Sequence, residues 1–313
     1  MKTQRNSLSK RGFTLMELMV AMAITTIIVT VLVSITSIAL DTWNRSRAEL
    51  RAARQGKAMV DAMARDFESL VTRRSNTYEW LSAITPTAEM PGGNLKSSNA
   101  CELTFFTAAT DRYDGQIGSP TDNGGDVSCA AYSLSYKDPV KVGGTFQTFV
   151  LNRLLVNPDE TFNKLLGKDD LASAFSAGGY TSRLSDTQNF VCENIYQFSL
   201  TFHVQVAKIT GTAPNTTTTL VDVPVTVGKS SGGQISSEFR IKGSGIVASI
   251  TGNAATPDEL KAGRLTAVEI AVTVISDFGI DQMRKRPDLA NNPTAFLAKN
   301  SYQYSKLIQL PSM

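Results

Sequence analysis

A single histidine and three cysteines in 313 residues leave little material for a metal site. The chain has no H-E-x-x-H, no P-loop and no Cys-x-x-Cys, so the common zinc, nucleotide and dithiol chemistries lack their residues. The glycine pairs in "GGTFQ" and "SGGQ" read as turns, because neither stands between a strand and a helix at phosphate-binding spacing. His203 lies inside an alternating segment and reads as a packed or surface ring. Acid is missing from residues 1–12, which hold Lys2, Arg5, Lys10 and Arg11. Those four cations account for the formal net charge of +3, and the remaining chain is close to neutral. It offers no basic footprint for nucleic acid, so no nucleic-acid partner is expected. There is no internal repeat and no heptad run.

Charge and proline are both missing from residues 18–40, "LMVAMAITTIIVTVLVSITSIAL". As a helix this run is long enough to cross a hydrocarbon core, which takes about 20 residues. The hydroxyls of Thr25, Thr26, Thr30, Ser34, Thr36 and Ser37 can bond back to the preceding turn, so lipid tolerates them. Cations on the N-terminal flank favour a cytoplasmic N-terminus, with the rest of the chain beyond the membrane. A secretory signal peptide would have an apolar core of about 7–15 residues and then a small-residue cleavage site. Here the run continues into "DTWNRSRAELRAARQ" with no such boundary, and the small residue, Gly12, lies before it. That order fits a cut on the cytoplasmic side that keeps the apolar segment. One carboxylate, Glu17, stands at the start of the segment. Unpaired in lipid, it must find a partner or a proton.

"KRGFTLMELMVAM" (residues 10–22) closely resembles the prepilin motif of type IV pilins and type II secretion pseudopilins. The resemblance implies a cut between Gly12 and Phe13 by a prepilin peptidase/methyltransferase, with N-methylation of Phe13. It implies that Glu17, the acid at the fifth mature position, partners the Phe13 amine of a neighbouring subunit; the plainer alternative is a carboxylate that snorkels to headgroup depth. The implied partners are that enzyme, other pilin-like subunits met through the N-terminal helix, and the bacterial inner membrane. The implied placement is single-pass, with the N-terminus cytoplasmic and the head in the periplasm or, after assembly, at the cell surface. No cofactor and no metal are implied. Major pilins usually carry a proline about ten residues beyond the motif acid. Residues 19–40 have none, which favours a minor or pseudopilin-type subunit.

Helix-forming residues continue to Arg74, with Val60, Met63, Phe67 and Leu70/Val71 on one face and the pairs Arg45–Glu49 and Asp61–Arg65 at i, i+4. Arg73 and Arg74 suit a last turn and Ser75-Asn76 a stop. Arg45, Arg47, Arg51, Arg54 and Lys57 form a basic segment, a solvated face or a contact for phosphates or an acidic neighbour. Beyond residue 77 the pattern is mostly β. Strands are expected at 101–107, 129–136, 145–155, 195–206, 236–243 and 265–275, and short helices at 159–166, at 169–176 and in the tail. The stretch 210–234 reads as a polar connector. "AMVDAMARDFESLV", "FVCENIYQFSLTFHVQ" and "RLTAVEIAVTVI" resemble J-type minor pseudopilins in their order, and "RRSNTYEWL" is similar to prepilin-like cassette proteins of Verrucomicrobia. Asp111, Asp114, Asp122 and Asp126 crowd one glycine-rich connector that could offer oxygens to Ca²⁺, though not at the spacing of calcium-binding pseudopilins.

Cys101 and Cys129 both begin expected strands that are candidate neighbours. In an oxidising periplasm they could form a disulfide worth about 3 kcal/mol, or remain unpaired as an odd cysteine must. The expected fold is α+β and pilin-like: a 1–12 leader, a 13–40 transmembrane half and a 41–76 stalk half of one long helix, and a 77–313 head built mainly on antiparallel sheet. The expected function is a structural subunit of a pilus or pseudopilus. The alternative is a single-pass, non-polymerising adhesin or sensor that uses a prepilin leader. No enzyme activity is expected.

Overall fold

The computed structural model describes residues 14–86, 88–108, 125–210, 217–229, 233–251 and 255–310. Helix α1 runs without interruption from Leu15 to Glu68. The chain divides into two compact units, residues 1–48 and 49–313. In the first, the hydroxyls of Thr25, Thr26, Thr30, Ser34, Thr36 and Thr42 each donate to the carbonyl four residues back, at 2.8–3.0 Å. The hydroxyls of these residues are thus satisfied within the helix.

Among its described residues the second unit holds twelve strands: β1 (Glu79–Ile84), β2 (Glu102–Thr107), β3 (Ser128–Lys137), β4 (Thr148–Val156), β5 (Phe190–Glu193), β6 (Ile195–Thr210), β7 (Thr217–Val227), β8 (Ile235–Ser236), β9 (Glu238–Lys242), β10 (Gly245–Ala248), β11 (Arg264–Ile275) and β12 (Ser301–Gln309). Seven form an antiparallel sheet in the order β10-β9-β1-β2-β3-β4-β5. Five form a second sheet, β12-β11-β6-β7-β8, antiparallel except at β7–β8. Together with α1 they give the α+β, pilin-like arrangement.

Periodicity explains which sheet faces what. On β6 the inward residues Phe198, Leu200, Phe202, Val204 and Val206 alternate with half-buried Gln197, Ser199, Thr201, His203 and Gln205. One face of that sheet lies in the core and the other is polar. β4, "TFVLNRLLV", is buried at every position, because the seven-stranded sheet is covered on both faces. One face meets the main core, which holds Phe67, Phe105, Phe198, Phe202 and Phe239. The other, with Trp80, Phe106 and Leu154, is covered by Leu165, Leu171, Phe175, Tyr180 and Leu184 from the helical segment 158–184. Glu79 ties that segment down. Its carboxylate accepts from the Leu171 N–H at 2.5 Å and from Arg240 at 3.1 Å, while burial pushes its pKa up.

Several elements differ from expectation. α1 ends at Glu68 rather than Arg74, because Leu70 bridges Thr107 and the Val71 N–H donates to the Phe106 carbonyl at 2.9 Å. Sheet pairing there outcompetes helix propensity. Within 210–234, expected to be a connector, lies β7, "TTTLVDVPVTV"; its Pro224 is tolerated because β8 joins only at Thr226 and Val227, leaving an open edge. The tail carries the expected short helices, Asp277–Lys285 and Pro293–Asn300, and then β12.

The disulfide between Cys101 and Cys129 is not formed; all three cysteines are free and buried. β2 and β3 are neighbours, but Cys129 lies opposite Phe106. Cys101 is five residues back along β2, roughly 17 Å at strand rise, well beyond disulfide reach. The two thiols also sit in different cores. Burial pushes the Cys192 thiol up to about 12 and raises the other two as well. Native protein should therefore run identically on reducing and non-reducing gels, and its thiols should react with a thiol reagent only after denaturation. A pair of thiols missing from the denatured count would contradict this arrangement.

Candidate functional site

Gly12 and Phe13 lie outside the described residues; the described helix is entered at Thr14. There Glu17 Oε2 accepts from the Thr14 N–H at 2.9 Å and from its hydroxyl at 3.0 Å, and the Glu17 N–H donates to Thr14 Oγ1 at 3.2 Å. This is a reciprocal capping box that satisfies orphan donors of the first turn. It engages one carboxylate oxygen and leaves Oε1 without a partner among the described residues. The T-x-x-E spelling was legible in the sequence but hidden beneath the longer motif. Beyond it every large apolar side chain from Leu15 to Leu40 is exposed, from 78% at Leu15 to 50% at Val20. The helix is long and apolar enough to cross a membrane. Surface of this kind is covered by lipid or by other helices.

Within the second unit, the rest of α1 buries Ala52, Gly56, Met59, Val60, Met63, Ala64, Asp66 and Phe67. The expected face Val60–Met63–Phe67–Leu70 is thus inward. At Gly56 a Cβ would stand 2.5 Å from the ring of Tyr304, so the missing side chain lets β12 lie against the helix. Asp61 pairs with Lys306 of β12 at 2.7 Å rather than with Arg65, and that hydrogen bond is the main cause of its lowered pKa. In the basic segment, Arg51 pairs with Asp277 at 2.9 Å, while Arg45, Arg47, Arg54 and Lys57 are exposed.

Asp66, in the last turn of α1, is the most heavily partnered of these groups. Arg153 grips it with two bonds, Nε to Oδ2 and Nη2 to Oδ1, both 2.8 Å. The Tyr132 hydroxyl donates to Oδ2 at 2.6 Å, and the Thr107 hydroxyl donates to the Asp66 carbonyl at 2.9 Å. The pair is nearly dry, with side chains 4% and 9% exposed. Burial and then the Asp66 charge raise the Tyr132 phenol well above its ordinary pKa. One helix residue is thereby joined to β2, β3 and β4.

Among the described residues, chemistry-bearing side chains elsewhere do not converge. His203 Nδ1 lies 2.8 Å from Asp222 Oδ2 across the polar face of the five-stranded sheet. Residues 228–232 spell G-x-S-x-G, but the next described element is strand β8, where a nucleophile elbow needs a helix, and residues 230–232 lie outside the described residues. Asp111, Asp114 and Asp122 also lie outside them. Among the described residues no group of three metal-ligating side chains occurs.

No curated protein and no solved structure matches the chain. Residues 8–33 match the prokaryotic N-terminal methylation motif. The chain is therefore prepilin-like: it carries the prepilin-type signal at the start of an exposed apolar helix, in an α+β, pilin-like arrangement.

Proposed function

We propose that this protein is a structural subunit of the minor-pilin or pseudopilin type, held in the inner membrane by α1 and taken into a pilus or pseudopilus fibre after its leader is removed. The observation that carries the reading is the methylation motif at residues 8–33 running directly into an uncovered apolar helix. A peptidase/methyltransferase cuts between Gly12 and Phe13 and methylates the new amine. The freed helix then packs against the same segment of neighbouring subunits, and the head remains outside the cytoplasm to make the specific contact. The uncovered side chains between Leu15 and Leu40 support this, since a helix bundle in a fibre core would bury them.

Mass spectrometry of the protein from its native membrane should show an N-terminus at Phe13 carrying one added methyl group. Gly12→Val should leave the leader attached, because the peptidase must accept a residue without a side chain there. An intact wild-type leader, or a cut beyond residue 35, would overturn the reading.

A further inference from the structure

We propose that the head carries a binding site for clustered phosphate groups, in a cleft lined by Arg73, Arg74, Lys242, Lys261 and Arg264. The cleft encloses about 360 Å³, within the size range of small-ligand pockets. Three segments distant in sequence form it: residues 72–74 just past the end of α1, the β9–β10 hairpin, and the turn from helix Pro257–Ala262 into β11.

No acidic residue lines the cleft. Lys242 Nζ donates to the Asp169 carbonyl at 2.8 Å. Arg73, Arg74, Lys261 and Arg264 form no ion pair among the described residues. Four other cations of the head, Arg153, Arg240, Arg286 and Lys306, each hold a carboxylate. The cluster is also held by backbone. Gly245, at φ +129°, lies so close to the helix end that a Cβ would stand 2.1 Å from the Lys261 carbonyl oxygen, and one on Gly263 would stand 2.6 Å from Val204. The fold itself therefore lines one cleft with five cationic residues and no acid, and like charges brought into one cleft repel.

A multivalent anion resolves that repulsion. Guanidinium forks take phosphate or carboxylate in paired bonds, and charge density decides between the two. Five cations around so small a volume call for several negative charges within a few ångströms. Adjacent phosphates supply them, whereas peptide carboxylates come singly on a spaced backbone. The inference is independent of the fibre reading, because it rests only on residues of the head.

The test is calorimetric titration of the full-length protein, in uncharged detergent at about 0.15 M salt, with inorganic tripolyphosphate and with citrate as the carboxylate counterpart. Saturable binding is expected, tighter for tripolyphosphate. Arg73→Glu and Arg264→Glu should each weaken it by at least about tenfold. Lys141→Glu, on the β3–β4 turn, should leave it unchanged. Arg73→Gln and Arg264→Gln replace the reversals should either variant fail to fold, with the same direction of effect. Long-chain polyphosphate competing more strongly per phosphate would assign the site to a polymer, and equal competition to a free anion; either supports the site. Absence of saturable binding, the same loss in Lys141→Glu, or citrate binding as tightly as tripolyphosphate overturns the proposal.

Discussion

Glu17→Ala should leave membrane insertion and leader cleavage intact and remove the protein from the fibre fraction. Insertion should not suffer, since losing the acid makes the span more apolar. Cleavage should not suffer, since Gly12 and Phe13 are unchanged. What disappears is the carboxylate that, in the proposed assembly, meets the Phe13 amine of an adjacent subunit. Stripping a buried charge of its partner weakens an association constant by roughly two to four decades. The capping box complicates the attribution, because Glu17 also holds Thr14 at 2.9 Å within its own chain. Thr14→Ala separates the two roles. It removes the hydroxyl from the cap, worth about a decade or less, and keeps the charge. Glu17→Gln should be intermediate, keeping an acceptor and losing the charge. Crosslinking, or recovery in sheared fibres, measures all three. If Thr14→Ala and Glu17→Ala fail equally, the acid acts only as a cap. If Glu17→Ala assembles like wild type, the acid has no part in assembly and a non-polymerising surface protein becomes the better reading.

The parts of this molecule that were legible in the sequence are those written locally. A charge-free run announces α1, and the residues around Gly12 announce the methylation motif matched at residues 8–33. Strict alternation announces β6, where one face is buried and the other polar, and a run of β-branched residues announces β11. β7 and β12 escaped for related reasons. The three threonines at the start of β7 and its Pro224 look like a connector, and only an open sheet edge makes them a strand. β12 follows two proline-led helical segments, so local signals argue for more of the same; its pairing with β11 over nine residues decides otherwise. Cys101 and Cys129 show the limit of strand prediction without register. The strands are neighbours as expected, yet the pairing sets the thiols about five residues apart and in different cores. Arg73 and Arg74 read as a helix end, because nothing local says that α1 stops at Glu68 or that residues near 242 and 264 will face them.

The same limit hides the contact whose loss should most damage the head. Asp66 and Arg153 are 87 residues apart in sequence and meet only in the folded protein. Arg153→Ala should destabilise the fold by about 3–5 kcal/mol, the usual consequence of leaving a buried charge without its partner. For a domain of this size that lowers the melting temperature by on the order of 10 °C. Asp66→Ala should cost a similar amount, since it strands Arg153 and the Tyr132 hydroxyl together. Tyr132→Phe should cost less, about 1.5–3 kcal/mol, because it removes a single hydrogen bond to a charged group. The pair itself is not expected to be a large net source of stability, because dehydrating both ions offsets most of their attraction. Replacing Asp66, Arg153 and Tyr132 together by Leu, Met and Phe should therefore recover most of the loss from either single change. The network then acts as a register pin, fixing the last turn of α1 against β2, β3 and β4 through groups that tolerate only one arrangement. Denaturant titration of the purified full-length protein in detergent, followed by near-ultraviolet circular dichroism of the buried tyrosines, measures each variant. If Arg153→Ala unfolds at the wild-type midpoint, water reaches Asp66 and the site is not dry. If the triple replacement is as unstable as the single ones, the polar groups contribute net stability beyond register.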